Sequence, residues 1–167
     1  MTTPPADAGK RALIDGLRAA RQAVRDALSA VPPDRYADPV LDEWSILDLL
    51  AHLSGWDYTI LKAAREIQAG NLPGFYQYWD KDWRSYNALL IDLYKRADPA
   101  EQLAVLEESH ARLVEFLETL SAAVIPADHG ARFKDEPVTI RGLIDKEARD
   151  EYIHAARIRD FAARLAH

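Results

Sequence analysis

Proline-marked breaks divide this sequence into long stretches in which apolar residues recur every three or four positions. That periodicity restricts the chain to amphipathic helices. Leu13, Leu17, Ala20, Val24, Leu28 and Val31 form the first stripe, predicting a helix over about residues 10–30 that Pro32 and Pro33 end. A second helix starts at Trp44-Ser45, where Ser45 and Asp48 form a variant capping box. Its stripe of Ile46, Leu49, Leu53, Trp56, Ile60, Ala64 and Ile67 runs to a stop at Gly70. A shorter helix is predicted from near Asp80 to Arg96, with Trp83, Tyr86, Leu90, Leu93 and Tyr94 on one face. Asp98-Pro99 is a strong helix start, and that helix is read to Val124, before Pro126. Residues 126–138 are read as a loop with a short extended piece at 132–134, and Thr139 caps a last helix from Ile140 to Ala166.

Four long helices and one short one, with no alternating strand pattern, predict an all-α bundle. The long connection after the second helix, which contains the short helix, suggests a crossover that keeps the flanking major helices parallel. Residues 1–7, with Pro4 and Pro5, read as a loose tail, and residues 8–167 as a single domain.

Composition narrows function. The 167 residues are 49% hydrophobic and 29% charged, as in an ordinary folded protein. Cysteine is absent, which excludes disulfides, thiolate metal sites and cysteine nucleophiles. No signal peptide and no membrane-length apolar window are evident, so a cytoplasmic, non-membrane protein is expected. The net charge of -6 argues against general nucleic-acid binding. P-loops, dinucleotide fingerprints and serine-hydrolase elbows are missing.

The informative residues are ionisable groups inside the stripes. On the last helix the inward series is Ile140, Ile144, Glu147, Glu151, His154, Ile158, Phe161 and Leu165, so two glutamates and a histidine stand where aliphatic side chains belong. Asp150 lies one turn before His154. His52 sits by the second stripe and His110 interrupts the third. Burying such groups unpaired costs on the order of several kcal/mol. An imidazole from one helix and an Asp-x-x-x-His pair from another make a three-ligand set suited to Zn, Ni or Fe. The competing reading is hydrogen-bonded core histidines and salt bridges to Arg149, Arg157 and Arg159. Phe75, Tyr76, Tyr78, Trp79, Trp83 and Tyr86 are read either as core filling or as the wall of a pocket over the same site.

Two segments resemble a known family. Glu43-Trp-Ser-Ile-Leu-Asp-Leu-Leu-Ala-His-Leu-Ser-Gly-Trp56 is similar to the second-helix signature of the DinB/YfiT-like superfamily, and Arg149-Asp-Glu-Tyr-Ile-His-Ala-Ala-Arg-Ile-Arg159 resembles its last-helix motif. The resemblance implies a four-helix bundle of up-down-down-up topology. It also implies a divalent metal held by His52, Asp150 and His154. Asp150 departs from the family pattern, in which most members carry histidine; the mycothiol-dependent maleylpyruvate isomerases of the superfamily use a carboxylate there. The implied chemistry is thiol-linked transfer, with a low-molecular-weight thiol, or metal-assisted hydrolysis of a small molecule. Glu147 and Glu151 are the candidate catalytic bases, and His110 an alternative fourth contact. Homodimers are common among relatives. The alternative function is a metal-free bundle that binds or sequesters a small molecule in the same cavity.

Overall fold

The computed structural model describes residues 5–41, 43–79 and 81–167. Helix α1 spans Pro5–Leu28. It begins at a proline because the first helical position needs no amide proton. Residues 5–7 of the expected tail are therefore helical, and residues 1–4 lie outside the described residues. A 3-10 turn at Pro33–Arg35 leads into β1 (Pro39–Leu41), which pairs antiparallel with β2 (Trp44–Ser45).

Helix α2 (Ile46–Gln68) starts from the predicted capping box: Ser45 Oγ accepts from the Asp48 amide and Asp48 accepts from the Ser45 amide. Gly70 ends it with φ of 77°, the left-handed conformation that favours glycine. Helix α3 (Trp83–Tyr94) is capped by Asp82; it buries Leu90, while Leu93, expected on the same face, is exposed. Helix α4 (Pro99–Thr119) starts from Asp98 as predicted but stops short of Val124, giving way to turns. The expected extended piece is a small hairpin of β3 (Arg132–Phe133) and β4 (Glu136–Pro137). Lys134 and Asp135 make its turn with φ of 50° and 66°, the pair of positive values that a two-residue hairpin turn requires. Thr139 accepts from the Gly142 amide and opens α5 (Ile140–Leu165).

The four long helices form the bundle. Arg18 pairs with Glu118 and Arg25 with Glu107, so α1 and α4 are antiparallel. One apolar cluster unites Leu17, Ile60, Ile67, Leu113, Leu117 and Ile144; a second unites Val24, Leu28, Leu49, Leu53, Leu106 and Ile158. This assignment makes α1 parallel to α5 and α2 parallel to α4, with the two pairs opposed: an up-down-down-up bundle whose crossover carries α3. The close approach of α3 to α2 depends on Gly55, where a Cβ would stand 2.7 Å from the Leu90 Cβ.

Between the two apolar clusters lies a polar layer to which each long helix contributes. Arg21 of α1 is fully buried. Its Nε and Nη2 donate to Glu151 at 2.9 and 2.7 Å, Nη2 also to Asp57 Oδ2 at 3.0 Å, and Nη1 to the Leu106 carbonyl at 2.8 Å. Ser109 of α4 donates to Asp57 Oδ2 at 2.6 Å. A buried charge is tolerable only when paired and hydrogen-bonded in this way.

Candidate metal centre

On the cavity side of that layer, α2 and α5 bring His52, Asp150 and His154 together. His52 follows the Ser45 cap by two helical turns, and Asp150 and His154 are one turn apart on α5. The histidines are buried and Asp150 is half-exposed, its side chain 42% accessible. Both Nε2 atoms face one carboxylate oxygen: His52 stands 3.4 Å and His154 3.2 Å from Asp150 Oδ2. The two imidazoles meet edge to face with centroids 5.0 Å apart, and Trp44 flanks His52 at 5.1 Å.

These distances bear on what the cluster is built for. A charge-assisted N–H···O bond is about 2.7–2.9 Å long. Two ligands each about 2.0–2.1 Å from a tetrahedral ion stand roughly 3.3 Å apart. The separations from Asp150 suit co-ligands as well as long hydrogen bonds, and all three ligand atoms lie within 4.8 Å of one another. Burial pushes the His52 imidazole below its ordinary value, against the opposing pull of Asp150, so it is the neutral, ligating form. Burial would raise Asp150, but the bonds to His154 and His52 prevail and hold its carboxyl well below the usual range. The residues present therefore fit a divalent ion, with two nitrogens and one oxygen as donors.

The cluster opens into a cavity of about 1200 Å³. Trp56, Phe75, Trp79 and Trp83 wall one part of it. The aromatic run thus does both things read from the sequence: Phe75 and Tyr76 are buried in the core, while Trp79 and Trp83 pack against it and face the cavity.

Glu147 also lines the cavity, one turn before Asp150. It is buried, and its Oε1 has no hydrogen-bond partner among the described residues. Burial first, then the nearby Asp57 and Glu151 carboxylates, raise its pKa well above the ordinary glutamate value.

Glu151 is placed differently from the expectation. It does not line the cavity; both its oxygens are held by Arg21 in the polar layer. His110 likewise does not join His52. It groups with Asp57 and Glu151 within 4.8 Å, where the Arg21 guanidinium already serves both carboxylates and opposes a second cation. Burial first, then Arg21, Arg25 and Arg18, lower His110 to about 3.

The apolar stripes of α1 and α2 do not include Arg21 or Asp57. Each sits four residues after one core leucine and three before the next apolar residue, at Leu17–Val24 and Leu53–Ile60, a seam spacing that would have found them.

A family model described as the DinB superfamily matches residues 16–158. The chain belongs to the DinB superfamily. Among solved structures, an uncharacterised protein from Escherichia coli UTI89 superposes with a TM-score of 0.73 at 17% identity, covering 94% of each chain. YfiT from Bacillus subtilis superposes with a TM-score of 0.65 at 20% identity, covering 94% of this chain and 87% of that one. YfiT is described as a probable metal-dependent hydrolase with an unusual four-helix bundle topology. At these identities the likeness shows the fold alone. No curated protein matches the sequence. Among the described residues of this DinB chain, no helix is long and apolar enough to cross a membrane.

Proposed function

We propose that the protein is a divalent-metal-dependent enzyme acting on a small molecule, by hydrolysis or by transfer to a low-molecular-weight thiol. One observation carries this reading: histidines from two helices converge on a single Asp150 oxygen at separations that suit co-ligands, in the wall of a large cavity. The description of YfiT as a probable metal-dependent hydrolase supports it.

His52, Asp150 and His154 would hold the ion, with Zn, Ni or Fe suited to this donor set. A divalent ion held there would lower the pKa of a water or thiol and so supply a nucleophile near neutral pH. Asp150 would contribute the one anionic oxygen, standing 3.4 Å from His52 Nε2 and 3.2 Å from His154 Nε2. Trp44 and Trp56 flank the His52 ring, with centroids 5.1 and 6.4 Å away. Glu147, a buried carboxyl on the cavity wall whose pKa burial raises well above the ordinary glutamate value, is the candidate general acid toward a leaving group. Glu151 serves instead through Arg21, fixing the turn of α5 that carries Asp150.

A second reading, a metal-free small-molecule binder, is favoured by one contact. Arg157 Nη1 approaches His154 Nδ1 at 3.5 Å, which suits a tautomer whose Nε2 donates to Asp150.

The test is a panel of esters, amides and thiol acceptors assayed with metal-loaded protein. Wild-type turnover above background is expected, falling about a hundredfold in Glu147→Gln with metal content unchanged, as for loss of a general acid. Equal turnover in Glu147→Gln would remove that residue from the mechanism.

A further inference from the structure

The cavity has direction. On α5, Lys146 precedes Asp150 by one turn and Arg157 follows His154 by one, about 16 Å apart along the axis at 1.5 Å per residue. Helix α2 runs the opposite way, so Trp56 and Ile60 face the Lys146 end, while Trp44 and Asp48 face the Arg157 end. Helix α3 agrees with both. Trp83 stands 5.3 Å from Trp56 at one end, and Lys95 bonds Asp48 at 2.7 Å at the other. Between them the Trp56 indole N–H donates to Asn87 Oδ1 at 3.3 Å. His52, Asp150 and His154 lie midway.

The two ends differ chemically. At one, Trp56 meets Phe75 and Trp79 meets Trp83 edge to face while Phe75 stacks on Trp83, and together they present apolar aromatic surface. The Lys146 ammonium there lies 4.9 Å over the Trp79 ring. At the other end Lys95 is already neutralised by Asp48. Arg157 is not: among the described residues no carboxylate lies within ion-pair distance of it, and its one polar contact is the long approach to His154 Nδ1. A half-buried guanidinium with so weak a partner is a fork for a carboxylate to occupy. The volume of about 1200 Å³ exceeds what a compact substrate fills.

Resting on the metal-centre reading above, we infer that the substrate is an elongated organic anion. Its flat apolar body lies among Trp56, Phe75, Trp79 and Trp83, its carboxylate lies on Arg157, and its reacting bond lies between them at His52, Asp150 and His154.

The probes are 5-phenylvalerate and its uncharged analogue 5-phenylpentan-1-ol, titrated calorimetrically into metal-loaded and chelator-treated protein. The acid should bind at least tenfold more tightly than the alcohol in both preparations. Arg157→Gln should abolish that preference and leave alcohol binding unchanged, with Arg157→Lys recovering part of it. Lys146→Gln should keep the preference, and Trp83→Leu should weaken both probes alike. Equal binding of acid and alcohol, no saturable binding of either, or a preference lost in Lys146→Gln instead would overturn the inference. A preference seen only in metal-loaded protein and untouched by Arg157→Gln would mean that the ion takes the carboxylate, overturning the inference while upholding the metal centre. Arg157-dependent preference in a protein that takes up no metal would uphold the anion site and sink the metal centre.

Discussion

Arg21 grips Glu151 through two hydrogen bonds, at 2.9 and 2.7 Å, with both side chains fully buried and one residue from the candidate ligand Asp150. The same guanidinium holds Asp57 of α2, so one side chain of α1 ties together the two helices that carry the metal site. Fold and site therefore share a fastening. Removing Arg21 strands two buried carboxylates, and breaking such a network costs about 3–5 kcal/mol. Arg21→Met should lose that much stability in urea at pH 7, and Arg21→Met/Glu151→Leu should recover a substantial part. A single variant within about 1 kcal/mol of wild type would contradict this role.

His110 gives a pH signature. Its folded value of about 3 lies below an unfolded value near 6.5, because burial and then the arginines Arg21, Arg25 and Arg18 disfavour the imidazolium. Between those values the unfolded chain binds more protons, so stability is complete above about pH 6.5 and is lost as pH falls toward 3. The contribution is on the order of 1 kcal/mol per pH unit across that window. Because the buried carboxyls of the same layer titrate with the opposite sign, wild type and His110→Gln must be compared. The wild-type advantage, measured by denaturation at pH 7, 6, 5 and 4, should shrink steadily. A constant difference would refute it.

Gly55 sets the seat of α3. Its missing side chain lets Leu90 approach to where a Cβ would be 2.7 Å away, a contact that must shift if alanine is placed there. Overpacking of this kind costs about 1–3 kcal/mol, against about 1 kcal/mol of helix propensity gained. Gly55→Ala should destabilise modestly and displace α3, which carries Trp83 and Asn87. The tryptophan emission should move to the red as the cavity wall opens. An unchanged spectrum with unchanged stability would show that α3 has room to spare.

The helices were legible because their signals are local. Ser45 with Asp48, Asp98 with Pro99, and Thr139 each named a cap that the fold uses. His154 was legible because an ionisable group in a seam demands partners; Asp150 was found one turn before it and His52 at the edge of the second stripe, and the family signature joined the three that the fold brings together. Glu151 misled for the same reason: its seam position announced burial, but its partner lay 130 residues away on α1. Arg21 itself reads as a margin residue, since a long cationic side chain beside Ala20 normally reaches solvent. The β1–β2 hairpin was missed because two or three residues are too few to show alternation. The end of α4 at Thr119 was overrun because no breaker stands before Pro126.

The most direct measurement is the metal content of untagged protein purified without chelator, set beside His154→Ala. About one Zn, Ni or Fe per chain in the wild type, lost in the variant, is the expected result. A wild-type protein that holds no divalent ion, even after incubation with excess, would contradict the metal centre and leave a bundle that binds its ligand through hydrogen bonds alone.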